Sequence, residues 1–154
     1  MTVLVGPTPW WQAELVSSLN VGSSLPDGSR IICKAGRTAW IVAPSCTQVS
    51  QTWNGTTNTS VGNKCCVCEW STLETQLINC GFNPCDWFVP SYTQLQNPGY
   101  VCRTNWDSFS ATDYWSSTEY NAIRARTYDY NDGTQNCCFK SLASCVRAFR
   151  CVTY

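Results

Sequence analysis

The sequence predicts an α+β, disulfide-rich domain, and three observations lead there. Strand-type runs gather at 30–43 and again at 114–152, with helix-type segments before and between them, which is the segregated order of an α+β fold. An Asn131-Asp132-Gly133 turn between two strand runs makes a hairpin. Twelve cysteines in 154 residues approach the density at which cross-links become part of a scaffold.

Residues 1–28 hold no cysteine and read as an N-terminal segment for attachment or oligomerisation, ahead of a domain over 29–154. Thr8 is an N-cap and Pro9 the first helical position. Trp11, Leu15 and Leu19 then recur at four-residue spacing with Val16 beside them, and Asn20 and Gly22 supply a stop, which predicts a short amphipathic helix over Pro9–Leu19. The helix has two open readings. It packs on its own domain, or Trp10, Trp11, Leu15 and Leu19 dock to a partner or a second copy, because two adjacent tryptophans are costly to leave in water.

Arg30–Lys34 and Thr38–Ala43 are β-rich runs around Ala35-Gly36, a hairpin. Cys46–Gly62 reads as a polar loop with two sequon-like triplets at Asn54 and Asn58. Over Cys66–Cys80, Trp70, Leu73 and Leu77 share a helical face and Gly81 ends it. Trp87–Val89 is a short apolar run, and Ser91 caps a brief helix through Gln96. Tyr114–Ser117 and Ala125–Tyr130 are strands; the turn at 131–133 leads into Gln135–Lys140, and Cys145–Val152 is a final strand.

Composition excludes several functions. Ten Lys+Arg balance ten Asp+Glu and only 13% of residues are charged, so no basic stripe exists for nucleic acid. No apolar run approaches the ~18 residues of a membrane span, so no membrane insertion is expected. Without histidine there is no Ser-His-Asp or Cys-His arrangement, and no carboxylate pair stands in a glycosidase context. The chain reads as a non-enzyme with no cofactor and no metal. The metal alternative, a zinc site of Cys65, Cys68, Cys80 and Cys85, has one two-residue spacing in its favour but leaves most of the cysteines unexplained.

The cysteines are Cys33, Cys46, Cys65, Cys66, Cys68, Cys80, Cys85, Cys102, Cys137, Cys138, Cys145 and Cys151. All twelve are expected in disulfides. Twelve allow on the order of 10,000 pairings, and adjacent pairs such as Cys65-Cys66 and Cys137-Cys138 reach two partners rather than each other. A third reading bonds one or two of the cysteines to another chain, first those of the Cys46 and Cys102 loops. Disulfides belong to oxidising places, yet residues 1–20 lack the charged start, apolar run and cleavage site of a signal peptide. A virion component, assembled in a host cytoplasm and oxidised after release, reconciles the two.

Five segments, GSRII from Gly28, WIVAP from Trp40, DWFVPS from Asp86, YWSSTEY from Tyr114 and VRAFRCV from Val146, occur in an order and spacing that resemble the Lcl C-terminal domain-like family. The match covers roughly 28–152 and is strongest in the second half. The resemblance implies a C-type-lectin-like α+β fold with its terminal strands side by side, which makes Cys33 to Cys151 a candidate bridge. It also implies adhesin tips, surface proteins and phage virion components, generally without enzymatic activity. Asp86, Trp87, Pro90, Trp115, Ser116, Ser117, Glu119 and Arg147 fall on its structural motifs. Most relatives carry few cysteines, so that framework is an addition.

The resulting expectation is a phage virion structural protein, a small tail fibre or receptor-binding appendage, joined to other virion proteins of tail, baseplate or capsid. It is expected to homo-oligomerise and to meet a host-surface glycan through Trp53, Tyr120 or Tyr128, with loops Gln51–Gly62 and Asn105–Thr112 as the contact surface. The competing readings are a capsid decoration protein and a cell-surface or secreted glycan-binding adhesin.

Overall fold

The computed structural model describes residues 10–53 and 62–154. Thr8, Pro9, both sequon-like triplets and the side chains of Trp10 and Trp11 lie outside the described residues. In chain order the elements are helix α1 (Trp10–Ser18), strands β1 (Arg30–Ala35), β2 (Thr38–Val42) and β3 (Val49–Gln51), helices α2 (Ser71–Asn79) and α3 (Tyr92–Gln94), and strands β4 (Asp113–Glu119), β5 (Arg124–Asp129), β6 (Thr134–Phe139), β7 (Ser144–Val146) and β8 (Phe149–Thr153). The fold is mixed α+β. One sheet has the order β1-β2-β8 and the other β3-β7-β4-β5-β6.

Local chemistry accounts for most boundaries. β1 and β2 form the hairpin, with Ala35 opposite Thr38 and Gly36 at φ +60° in the turn. Gly81, at φ +89°, ends α2 one residue past Cys80. Ser91 caps α3 in a capping box: its hydroxyl accepts from the Gln94 N–H while the Gln94 side chain accepts from the Ser91 N–H. One wide turn, Leu95–Tyr100, continues α3 beyond Gln96.

Three elements differ from the sequence expectation. The run expected as one helix over Cys66–Cys80 is a single 3₁₀ turn, Val67–Glu69, followed by α2. Trp70 sits between them off helical geometry, its indole N–H donating to the Lys64 carbonyl (2.8 Å) and its ring edge-on to Trp53. The polar loop from Cys46 contains β3, because Val49–Gln51 pairs with β7. The expected final strand Cys145–Val152 is two strands in two sheets: β7 pairs with β3 and β4, while β8 pairs with β2. Arg147 and Ala148 form the crossing between them.

The terminal strands are not side by side. β2 lies between β1 and β8, so Trp40 is opposite Cys33 on one side and Cys151 on the other. Two strand spacings are roughly 10 Å, beyond disulfide reach. A Cys33–Cys151 bridge is therefore ruled out in this fold.

The core has two parts. One joins both sheets to α1 and α2 through Val16, Ile31, Ile41, Trp53, Trp70, Leu73, Leu77, Trp115 and Val152. The other is mainly aromatic, built from Trp106, Tyr114, Tyr128, Tyr130 and Phe149 with Ile32, Val42 and Leu95. Edge-to-face rings at 5–6 Å suit such a core, since the positive ring edge meets a negative face. α1 rests on its own domain: Val16 is fully buried, and Leu15 and Leu19 pack against the first core part. Lys34 donates to the carbonyls of Val16 (2.6 Å) and Leu19 (2.5 Å), placing a cation at the helix C-terminus. Backbone bonds from Gly22 to Ile31 and from Ile31 to Ser23 run across position 28.

Candidate functional site

Arg147, one of the motif residues, lies at the strand crossing between the two sheets. Arg147 is 1% exposed. Its Nε donates to the Ala43 carbonyl (2.7 Å), its Nη1 to Gln48 Oε1 (2.9 Å) and the Ser108 carbonyl (3.0 Å), and its Nη2 pairs with Asp107 Oδ1. Burial pushes the Asp107 carboxyl upward, but the Ser45 N–H and the Arg147 charge outweigh it and hold it below the ordinary carboxylate range. Tyr114 completes the network, donating to Gln48 Oε1 (2.6 Å) and accepting from the Ser110 N–H (2.9 Å). The loop 105–112, expected as a contact surface, is thus pinned from below, and its Trp106 is buried.

The other motif residues hold chain segments together. Trp115 and Trp53 are both buried, and their indole N–H groups donate to the carbonyls of Gln51 (2.8 Å) and Ser116 (2.9 Å). The Ser116 hydroxyl donates to the Arg126 carbonyl (2.7 Å) and accepts from the Thr118 N–H (3.1 Å), while the Ser117 N–H reaches the Pro90 carbonyl. Glu119 pairs with the fully buried Lys140 (2.6 Å), whose ammonium also lies over the Trp53 ring. Burial pushes the half-buried Asp86 carboxyl up, against the pull of Arg150; Arg150 in turn lies over the ring of Trp87.

Two expected receptor contacts are corrected. Trp53 is fully buried and Tyr128 is 4% exposed, so neither ring is free to meet a ligand. The Trp53 indole donates to the Ser116 carbonyl, and the Tyr128 ring packs in the aromatic core part. Tyr120 is different, with 48% of its surface exposed.

Around Tyr120 the sheet carries a face that sequence reading missed. Arg126 stacks on both Tyr92 (5.1 Å) and Tyr120 (4.6 Å), and Arg124, two residues along β5, stacks on Phe139 (4.5 Å), its register partner in β6. Residues i and i+2 of a strand share a face, which sets both arginines on the same side. Ile123, Phe139 and Leu142 are also exposed at this end of the sheet, joined by the Lys140-to-Ile123 and Leu142-to-Phe139 backbone bonds. Among the described residues neither arginine has a carboxylate within salt-bridge distance. The spacing Arg-x-Arg after Tyr-x-x-x was the available signal, legible only once β5 and α3 were known to be neighbours.

The twelve cysteines fall unevenly. Cys46, Cys65, Cys66, Cys68, Cys85 and Cys151 are exposed and the rest half-buried, all as thiols. Three pairs meet: Cys33 with Cys102, Cys46 with Cys80, and Cys66 with Cys68 at 2.6 Å. Burial and then the Cys80 neighbour push the Cys46 thiol up to about 11; burial and then Cys33 do the same for Cys102. Cys46 and Cys102, expected to reach toward another chain, each face a cysteine of their own chain. The four cysteines of the zinc alternative are divided, Cys80 lying against Cys46 and Cys68 against Cys66. Among the described residues no group of three or more Cys, Asp or Glu is arranged to hold a metal ion, and no helix is long and apolar enough to cross a membrane.

No known protein family's model matches the chain, and no curated protein matches it. The resemblance to the Lcl C-terminal domain-like family therefore rests on the five motifs alone.

Proposed function

We propose that the chain is a non-enzymatic virion structural protein of a phage, a small tail fibre or receptor-binding appendage with a C-type-lectin-like head over 29–154. The head meets acidic glycans on the host surface through the Tyr92–Arg126–Tyr120 face. The observation that carries this reading is Arg126 stacked on two tyrosine rings, with Arg124 beside it and, among the described residues, no carboxylate within salt-bridge distance of either. A guanidinium held flat by stacking presents its N–H edge to a planar carboxylate, and an exposed ring offers a platform for a sugar face. The exposed apolar residues around it are of the kind that marks a contact surface. Trp10 and Trp11 are assigned to the attachment end, where the protein joins its neighbours in the particle or a second copy of itself.

Adsorption of the full chain to a panel of bacterial cells, and to purified acidic and neutral polysaccharides, tests this. Binding to acidic polysaccharide should weaken at least tenfold in Arg126→Ala and Tyr120→Ala and fall as salt is raised. Absence of binding to every surface would overturn the receptor role and favour a capsid decoration protein, and equal binding to neutral and acidic polymers would overturn the arginine assignment.

A further inference from the structure

Of the three cysteine pairs that meet, two join parts of the chain far apart in sequence, and both are held by neighbouring bonds that do not involve the sulfurs alone. Cys33 lies on β1 and Cys102 follows the wide turn after α3; the Asn105 side chain donates to the carbonyl of Ile32 (3.1 Å), tying the 102–105 turn to the strand one residue from Cys33. Cys33 and Cys102 both pack against the same aromatic core part. Cys46 lies in the turn before β3 and Cys80 at the end of α2. Here the Cys80 thiol donates to the Cys46 carbonyl (3.1 Å), and Gln76, one helical turn earlier, donates to that same carbonyl (2.7 Å). Each pair is thus positioned by a side-chain amide bound to the backbone beside it.

We propose that Cys33–Cys102 and Cys46–Cys80 are intramolecular disulfide sites, closed in the folded chain by exchange with a small-molecule disulfide such as oxidised glutathione. In each closure one protein thiolate attacks the oxidant's S–S bond, giving a mixed disulfide and one small thiol, and the second protein thiolate then displaces the other; one S–S bond breaks and one forms, and the two protein S–H protons end on the two small thiols. The bridges staple β1 to the segment that carries Trp106, and the start of β3 to α2. Cys66 and Cys68 are left out, since a bond spanning one residue constrains little of the unfolded chain. The pairing concerns the fold and holds whatever surface the protein binds.

The test uses the full chain equilibrated with oxidised glutathione, its free thiols then alkylated, cleaved without reduction and read by mass spectrometry. Peptides joining Cys33 to Cys102 and Cys46 to Cys80 are expected. Any of these four cysteines joined to a different cysteine, or all four recovered alkylated, overturns the proposal. As a second measure, Cys80→Ser and Cys102→Ser should each lower the melting temperature of the oxidised protein by roughly 10 °C, given loops of this length, while matching the parent in excess reductant. An equal loss with and without reductant would assign the cysteines to packing alone.

Discussion

Arg147 is the residue on which most separate segments depend. Its guanidinium joins the strand crossing at 147–148 to Ala43, Gln48, Asp107 and Ser108 with almost no solvent contact. Removing one partner of a buried ion pair leaves an uncompensated charge and costs about 3–5 kcal/mol. Arg147→Ala is expected to lose stability on that scale in denaturant unfolding, and Arg147→Lys should recover little of it because an ammonium cannot reproduce the fork. Asp107 sets the acid side of the stability curve. Its folded pKa lies below its unfolded value of 3.8, so its contribution is complete above that pH and is lost as pH falls through the folded value. Melting curves below pH 4 should therefore steepen in the parent and flatten in Asp107→Asn. Asp86, with its carboxyl raised by burial, acts with the opposite sign, and protonation relieves it.

At the scale of elements, the β5–β6 hairpin shows how a turn residue can serve two ends. Gly133 is at φ +78°, and a Cβ there would stand 2.8 Å from the Tyr100 ring. Tyr100 packs on Tyr128 and Tyr130, so the turn and the wide turn after α3 are fitted to each other. The left-handed backbone alone costs an L-residue about 1–2 kcal/mol. Gly36, at φ +60° with open space around it, isolates that cost. Gly133→Ala should thus lower the unfolding free energy by more than Gly36→Ala, and only Gly133→Ala should alter the near-ultraviolet signal of the tyrosine cluster. Hairpins and caps were legible because their chemistry is local: Ala35-Gly36, Asn131-Asp132-Gly133, Ser91 and Gly81 act on residues within four positions. The break in the run to Cys80 was not legible, since Trp70 leaves the helix to reach Lys64 and Trp53. Nor was the division of 144–153 between two sheets, since its alternation is the same in either.

At the scale of the whole molecule, the two proposals concern different surfaces. The basic aromatic face sits at the end of the five-stranded sheet, whereas the cysteine staples tie loops to β1 and α2. Arg126→Ala should accordingly change adsorption and leave the oxidised melting temperature within about 2 °C of the parent, as is usual for a half-exposed surface position. If adsorption and stability fell together, the face would be structural rather than receptive.

By itself the sequence determined the α+β class, the hairpins, the Ser91 helix cap and the balance of charge, because each follows from residue type, short-range spacing or a simple count. Which aromatic rings are free was decided only by tertiary structure: Trp53 and Tyr128 look as available as Tyr120 until the sheets close over them. The partners of the cysteines were decided in the same way. Strand order β1-β2-β8 separates Cys33 from Cys151 and the turn at Asn105 delivers Cys102 to it instead. Burial and pairing are relations between distant segments, and no local pattern carries them.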